Sequence, residues 1–236
     1  MTIIMVIIAQ YLVKDKIMSN LTLIIGNKNY SSWSLRPWLY MMQLGIDFEE
    51  IRISLYTPDM ETQLEPCFSD SKVPVLIDEG YSIWDSLAIM EYLADKFPEN
   101  VSWPAYIKAR ATARSVSCEM HSSYTALRHE ISMNCSAEQH TKPLSSETEH
   151  DIERIIALWR HCKRFYGQDG KWLFSQFTIA DAMFAPIAIR LHKIDYPLKD
   201  VEAEYMDTLY NNKHMQNWIK AGREETEVID LFDGSL

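Results

Sequence analysis

The feature that most constrains the fold is a change of pattern between residues 98 and 104. Before it, short β-branched and apolar runs alternate with helix-like segments and are separated by Gly and Pro. After it no strand-like alternation follows, and residues 106–133 and 146–166 contain neither Gly nor Pro. We therefore predict an α/β domain with a mixed sheet over residues 20–98 and an all-α domain over residues 105–236.

The N-terminal half predicts the element order β-α-β-loop-β-β-α. A strand, a helix and a second strand make a parallel pair, and a hairpin turning at Gly80 adds an antiparallel one. A helix N-cap is predicted at Ser34 and a helix C-cap at Gly45. The predicted strands are 21–25, 48–55, 73–77 and 81–84, and the predicted helices are 35–44 and 86–97.

The C-terminal half predicts only helices. Residues 178–194 are apolar on nearly every side, which is typical of a helix buried at the centre of a domain. Thr178 and Asp181 predict a capping box at its start, a folding device rather than a site. The other predicted helices lie within 106–133, 146–166, 201–211 and 215–223.

Composition excludes several classes of function. The chain has 236 residues, 47% of them hydrophobic, which suits a globular protein. Its net charge of −10, with no basic cluster, argues against nucleic acid as a partner. Four cysteines without a CxxC pair, and scattered histidines, predict neither a disulfide framework nor a metal site, and they favour a reducing cytoplasm.

The first 19 residues are expected to form a leader outside the fold. Residues 1–13 are almost all apolar, but this run is shorter than the ~20 residues of a membrane span. The cations Lys14 and Lys16 follow the run instead of preceding it, which is the wrong order for a signal peptide. We expect no membrane partner and regard Met18 as an alternative start; an anchoring role is the less favoured alternative.

Three short motifs lie where strands give way to helices or loops. The run YSSWSLR (residues 30–36) joins a strand to a helix N-terminus, which is a favourable place for an anion, although Ser34 could simply cap the helix. Val73-Pro74 stands at the start of a predicted strand. Pro74 is either an ordinary edge proline or follows a cis peptide bond, which would turn the backbone of Val73 outward. Asp85-Ser86 opens a second helix, either as a cap or as a carboxylate site.

We call residues 30–36 the serine loop. The chain resembles the glutathione transferase superfamily in the order of its features: the serine loop, then Val73-Pro74, then Asp85-Ser86, then an all-helical half. The resemblance covers residues 21–219 and leans toward serine-type bacterial branches, including zeta-like maleylacetoacetate isomerases, whose Ser-Ser-x-x loop is matched by residues 31–34. It implies a thioredoxin-like N-terminal domain, a homodimer in the cytoplasm, and glutathione as cosubstrate.

The resemblance also implies roles for individual residues. The hydroxyl of Ser31 would support the glutathione sulfur. The predicted glutathione-binding residues are Ser34, Lys72, Val73, Pro74, Asp85 and Ser86. Val73 would pair with the cysteinyl backbone beside a cis Pro74, and Asp85 and Ser86 would hold the γ-glutamyl ammonium and carboxylate. Lys72 and Arg36 would offset the negative charge of the tripeptide.

One departure from the family pattern matters. Trp33 stands where the zeta-like loop has Cys, which weakens a specific isomerase assignment and disfavours mixed-disulfide chemistry. Tyr30 and Ser34 are alternatives to Ser31 as the donor to sulfur.

A stripe of Arg114, Cys118, His121 and Thr125 on one helix face would line the electrophile pocket, with Arg114 and His121 as a cation pair, or would only pack between helices. Met120 and Tyr124 are further candidates for this lining.

The predicted function is that of a glutathione transferase-like enzyme acting on a small hydrophobic or anionic electrophile. A free thiol of pKa ~8.5 is only about 3% thiolate at pH 7. If the protein lowers this pKa by about two units, the thiolate fraction rises to roughly three quarters, and the shift requires ~2.7 kcal/mol of stabilisation of the thiolate. One hydroxyl and a helix dipole suffice for that shift. The alternatives are a non-catalytic adaptor of the same fold and a specific maleylacetoacetate-type isomerase.

Overall fold

The computed structural model describes residues 21–137 and 142–233. The predicted leader, residues 1–19, lies outside the described residues. Among the helices of these two ranges, none is both long enough and apolar enough to cross a bilayer.

The N-terminal domain is built on a four-stranded mixed sheet, as predicted. The strands are β1 (Leu21–Ile25), β2 (Glu49–Arg52), β3 (Val75–Asp78) and β4 (Tyr81–Trp84), in the order β2-β1-β3-β4. β1 pairs with β2 in parallel and with β3 in antiparallel fashion, and β3 and β4 form the hairpin. β3 begins two residues later than predicted, directly after Pro74, which has no N–H to donate to a ladder.

Three α-helices and one short 3-10 turn complete this domain. They are α1 (Ser32–Leu44), α2 (Met60–Leu64), a 3-10 turn (Glu65–Cys67) and α3 (Ser86–Lys96). The predicted N-cap at Ser34 is wrong. The cap is Ser31, whose hydroxyl accepts from the Ser34 N–H, because α1 starts one turn earlier than its apolar periodicity suggests. Gly45 ends α1 in the left-handed conformation, as predicted (φ 67°).

The second half of the described chain is helical. Its elements are α4 (Ile107–Ser122), α5 (Thr125–Glu130), α6 (Ser146–Tyr166), α7 (Ile179–Lys193), α8 (Asp200–Tyr210), α9 (Lys213–Arg223) and α10 (Asp230–Asp233). The stretch 106–133 is broken between α4 and α5 because Tyr124 adopts a left-handed conformation (φ 66°). Its hydroxyl donates to Glu119 at 2.7 Å, which ties the break to the end of α4.

The buried helix predicted over 178–194 is present as α7, which is buried along almost its whole length. At its start the Asp181 carboxylate accepts from the Thr178 N–H at 2.8 Å and from the Leu173 N–H at 3.1 Å. Burial raises the pKa of Asp181 to about 6, although these hydrogen bonds oppose the rise. The predicted capping residues therefore also tie the preceding loop to α7.

One apolar core joins the sheet domain to the helices. Leu23 of β1 and Leu39 of α1 belong to the same buried cluster as the residues of α7, and α1 packs against α7. Trp38 of α1 also meets Trp218 of α9 edge-on, with ring centroids 5.1 Å apart. The N-termini of α1 and α3, which carry the predicted site residues, are thus held by helices of the second half. The predicted bounds 20–98 and 105–236 remain a prediction.

Candidate functional site

The serine loop forms a small hydroxyl network at the start of α1. Ser31 is 5% exposed, and its hydroxyl donates to the Ser34 hydroxyl at 2.8 Å. Ser34 is fully buried and accepts in addition from the Gly26 N–H at 3.1 Å, at the end of β1. The network fixes Ser31 at the positive end of the helix dipole, where an anion is stabilised.

A segment from the C-terminal end holds this loop in place. The Glu225 carboxylate accepts from the N–H groups of Lys28 and Asn29, at 2.8 and 3.0 Å. Tyr30 donates its hydroxyl to the Glu227 carbonyl at 3.4 Å and stacks on Phe232. The phenol of Tyr30 is thus directed to the C-terminal segment, which favours Ser31 over Tyr30 as the donor to a sulfur atom.

Val73 and Pro74 lie at the entry to β3. The Val73–Pro74 peptide bond is cis, as the family resemblance implied. Among the described residues, no hydrogen-bond partner is found for the backbone N–H or C=O of Val73, which is half-buried. An extended peptide can therefore pair with it. The exposed ammonium of Lys72 pairs with the carboxylate of Asp70 at 2.6 Å, and its role in offsetting the charge of the tripeptide stays a prediction.

Asp85 and Ser86 open α3. One carboxylate oxygen of Asp85 accepts from the N–H groups of Leu87 and Ala88, and the other lies 3.0 Å from Nε2 of His121. Burial favours the neutral form of Asp85, but the hydrogen bonds from His121 and Ala88 outweigh it and lower the pKa. Asp85 has a φ of 74°, an uncommon conformation that is concentrated at ligand sites.

Ser86 is the polar group in this region that most needs a partner. It is 1% exposed, and its hydroxyl makes no hydrogen bond with the described residues. A buried hydroxyl without a partner costs about 1–3 kcal/mol. A carboxylate at the N-terminus of α3 would satisfy this hydroxyl, so the site fits the γ-glutamyl end of glutathione.

Trp33 forms one wall beside the serine loop. Its indole is 37% exposed and meets His121 edge-on, with centroids 5.2 Å apart. The guanidinium carbons of Arg36 and Arg128 lie 4.3 and 5.1 Å from the indole centroid. The tryptophan that replaces the expected cysteine therefore connects the serine loop to residues of α4 and α5.

The predicted stripe on α4 is only partly assembled. His121 reaches Asp85 and Trp33, but Arg114 instead pairs with Glu91 at 3.6 Å and lies over Trp103. Thr125 lies beyond the helix break, in α5. The predicted cation pair of Arg114 and His121 is therefore wrong, because His121 contacts Asp85 at the N-cap of α3, whereas Arg114 contacts Glu91 in the middle of that helix.

Two cations that act electrostatically on Arg36 were not predicted. Arg128 comes from α5 and is placed by the left-handed break at Tyr124. Arg190 is buried in α7 and donates to the carbonyls of Ile131 and Pro186. A signal existed for Arg190, since an arginine in an otherwise apolar helix needs internal partners. None existed for Arg128.

Chemically, this arrangement suits an anionic peptide with a sulfur nucleophile. Two helix N-termini, a hydroxyl pair and the backbone of Val73, which is unpaired among the described residues, all come from the N-terminal domain. No metal or general base is required, because a hydroxyl that donates to a thiolate lowers the thiol pKa without accepting its proton.

Comparison with known proteins agrees with this architecture. Residues 30–96 match the family model described as glutathione S-transferase, N-terminal domain. The chain is 30% identical to glutathione S-transferase 1 of Dianthus caryophyllus over 163 residues, which are 66% of this chain and 70% of that protein. It is 25% identical to a stringent starvation protein A homolog of Coxiella burnetii over 173 residues, 73% of this chain and 77% of that protein.

A solved structure with the same fold is a glutathione transferase homolog from Burkholderia with bound glutathione. It has a TM-score of 0.65 and 22% identity, and the alignment covers 87% of this chain and 99% of that one. The thioredoxin-like sheet domain, the helical domain behind it and the match to a known transferase over two thirds of its length show that the chain belongs to the glutathione S-transferase superfamily.

Proposed function

We propose that this protein is a glutathione transferase that stabilises the thiolate of bound glutathione for reaction with a small electrophile. The observation that carries the proposal is the Ser31–Ser34 hydroxyl pair at the N-terminus of α1. Bound glutathione would supply the nucleophile, and the protein would supply the hydrogen bond and dipole that keep its sulfur ionised.

The hydroxyl pair can stabilise a thiolate without losing a hydrogen bond. When Ser31 turns its proton toward the sulfur, Ser34 can rotate its own hydroxyl and donate to the oxygen of Ser31. Ser34 still accepts from the Gly26 N–H in that arrangement. One charge-assisted bond and a helix terminus then stabilise the anion in a site that excludes most water.

The rest of the tripeptide would be held by groups that have spare hydrogen-bonding capacity. Val73 would pair through its free backbone with the cysteinyl residue, and Ser86 would donate its unpaired hydroxyl to the γ-glutamyl carboxylate. Asp85 would take the ammonium group while keeping its cap on α3. Lys72 would contribute long-range positive charge only, since Asp70 partly neutralises it.

The test uses the purified protein with glutathione and an aryl-halide electrophile. Glutathione binding by calorimetry together with turnover supports a transferase. Binding without turnover supports a binding module, and loss of both refutes the proposal. A maleyl keto acid in a parallel assay distinguishes the specific isomerase, which would turn it over far faster than the aryl halide.

A second candidate is a non-catalytic protein of the same fold. The alignment with the stringent starvation protein A homolog covers more of this chain than the alignment with the Dianthus caryophyllus transferase does. The name of that relative describes no transferase. Ser86 favours the enzyme, because an adaptor that binds no ligand there has no need of a buried hydroxyl without a partner among the described residues.

We also propose that the chain forms a homodimer. Large aromatic side chains are exposed beside the edge strand β4: Phe68 is 82% exposed, Tyr81 68% and Trp84 43%. Phe68 and Trp84 pack edge-on with centroids 5.6 Å apart, so they form a rigid apolar surface. Light scattering should give twice the monomer mass, and Phe68→Ser should shift the equilibrium toward monomer.

A further inference from the structure

The group in the described structure that is hardest to explain by folding alone is the guanidinium of Arg36. Arg36 is 0% exposed, and none of the described residues gives its three nitrogen atoms a hydrogen-bond partner. Its guanidinium carbon lies over the ring of Trp33, 4.3 Å from the centroid. A buried cation with five unpaired N–H donors is strongly disfavoured unless an anion completes it.

The nearby charges add to the need for an anion. Burial lowers the pKa of Arg36 well below its usual value, and the charges of Arg128 and Arg190 lower it further. Among the groups that act on it, only Asp85 favours the charged form. Asp85 is already occupied by two amides and His121.

The neighbouring arginines are not neutralised either. Arg190 is bound to the backbone carbonyls of Ile131 and Pro186, and burial lowers its pKa to about 9. Arg128 donates to the carbonyls of Ser123 and Met120, and the carboxylate that acts on it, Asp151, accepts from the Leu127 N–H. A protein of net charge −10 thus brings together two buried cations, Arg36 and Arg190, and a half-buried one, Arg128.

The position of the cluster indicates which anion it serves. Arg36 lies in the first two turns of α1, the helix whose N-cap is Ser31. The ring of Trp33 lies over its guanidinium, and the carboxylate of Asp85, beside the proposed γ-glutamyl site, is near enough to act on it electrostatically. Trp33 is partly exposed and lies against both Arg36 and Arg128, so the indole separates the buried guanidinium from solvent.

From this geometry we propose that Arg36, assisted by Arg128, binds a carboxylate group of the second substrate, which reaches it past the indole of Trp33. The inference rests on the proposed function and narrows it: the electrophile is a small carboxylic acid. The planar fork of an arginine can take a carboxylate through two parallel hydrogen bonds, which orients the rest of the molecule toward the sulfur. Arg190 adds charge from behind without contacting the ligand.

The experiment uses succinate, an unreactive dicarboxylate, titrated calorimetrically into the protein in the presence of saturating glutathione. Neutral succinamide is the matched uncharged probe. We expect saturable binding of succinate and at least tenfold weaker binding of succinamide. Tryptophan fluorescence should change with succinate, and Trp33→Phe should remove most of that change.

The variant Arg36→Met tests the guanidinium directly, and Arg114→Met is its matched control on the exposed side of α4. Arg36→Met should weaken succinate at least tenfold, about 1.4 kcal/mol, and keep glutathione affinity within twofold. Arg114→Met should leave both affinities within twofold. Because methionine replaces an unpaired buried charge, the melting temperature of Arg36→Met should not fall.

Several results would overturn the inference. They are no saturable succinate binding, equal binding of succinamide, unchanged succinate affinity in Arg36→Met, or an equal loss of glutathione affinity, which would assign Arg36 to the tripeptide. The two probes on the wild-type protein decide the matter even if Arg36→Met fails to fold. If glutathione binds and succinate does not, this inference alone fails; if glutathione does not bind, the proposed function fails with it.

Discussion

Replacing Ser31 by alanine is the sharpest test of the proposed chemistry. The Ser31 hydroxyl would donate one charge-assisted hydrogen bond to the sulfur, and such a bond contributes about 1.5–3 kcal/mol. That corresponds to a rise of roughly one to two units in the pKa of the bound thiol. At pH 7 the rate should therefore fall about threefold to 25-fold, if the bound thiol of the wild type has a pKa of ~6.5.

The same substitution should barely affect the stability of the fold. Ser31 caps α1 through a hydrogen bond of 3.4 Å from the Ser34 N–H, which is long for such a bond. Its loss should therefore cost about 0.5 kcal/mol, at the low end for an N-cap. Ser34 keeps its bond from the Gly26 N–H in the variant.

The assay is the ultraviolet absorbance of the bound thiolate, titrated against pH, together with the pH dependence of kcat/KM. Ser31→Ala should move both profiles to higher pH by the same amount while glutathione affinity changes little. Ser32→Ala is the matched control, since Ser32 is the adjacent buried hydroxyl and makes no hydrogen bond to Ser34. An unchanged thiol pKa in Ser31→Ala, or an equal shift in Ser32→Ala, would refute the reasoning.

Three further predictions follow from other parts of the structure. Ser86→Ala should weaken glutathione binding about tenfold without lowering the melting temperature, because its hydroxyl has no partner among the described residues; unchanged affinity by calorimetry would place the γ-glutamyl site elsewhere. Asp181, with a pKa of about 6 in the fold against 3.8 when unfolded, binds a proton more tightly in the native state, so its contribution is greatest below pH 4 and is lost as pH rises to 6. Denaturant titrations should show that the free energy of unfolding of the wild type falls relative to that of Asp181→Asn by about 1.4 kcal/mol per pH unit across that window. Parallel plots of unfolding free energy against pH for the two proteins would contradict this. Glu225→Gln should lower turnover more than it lowers glutathione affinity, because it weakens the hydrogen bonds from the Lys28 and Asn29 N–H groups that position Ser31. Unaltered kinetics would show that the position of the loop does not depend on Glu225.

Much of the fold follows from local patterns. The four strands alternate or run apolar between Gly and Pro, and Gly45 and Pro98 end their helices for reasons that depend on the backbone of one or two residues. The start of α1 was misplaced by one turn because any of three serines could cap it. Only the contact between the Ser34 hydroxyl and Gly26, eight residues away, distinguishes them.

The break at Tyr124 and the arginine cluster were beyond prediction for a different reason. No Gly or Pro marks the break; Tyr124 is held in a left-handed conformation by tertiary packing and by its bond to Glu119. That break places Arg128 near Arg36, two residues that are 92 positions apart in the chain. Hydrophobic periodicity carries no information about such a meeting, because it depends on how α1 and α7 pack.

The Glu225 carboxylate joins the last part of the chain to the loop that carries Ser31. Residues 28 and 225 are 197 positions apart, so the proposed thiolate site is not held in place until the chain has been synthesised as far as Glu225. A nascent or truncated chain that ends before this glutamate would contain the sheet, the serines and the cis proline. It would lack the carboxylate that accepts hydrogen bonds from Lys28 and Asn29 and so positions the serine loop. If the proposed function holds, catalytic competence would then require synthesis at least as far as this glutamate.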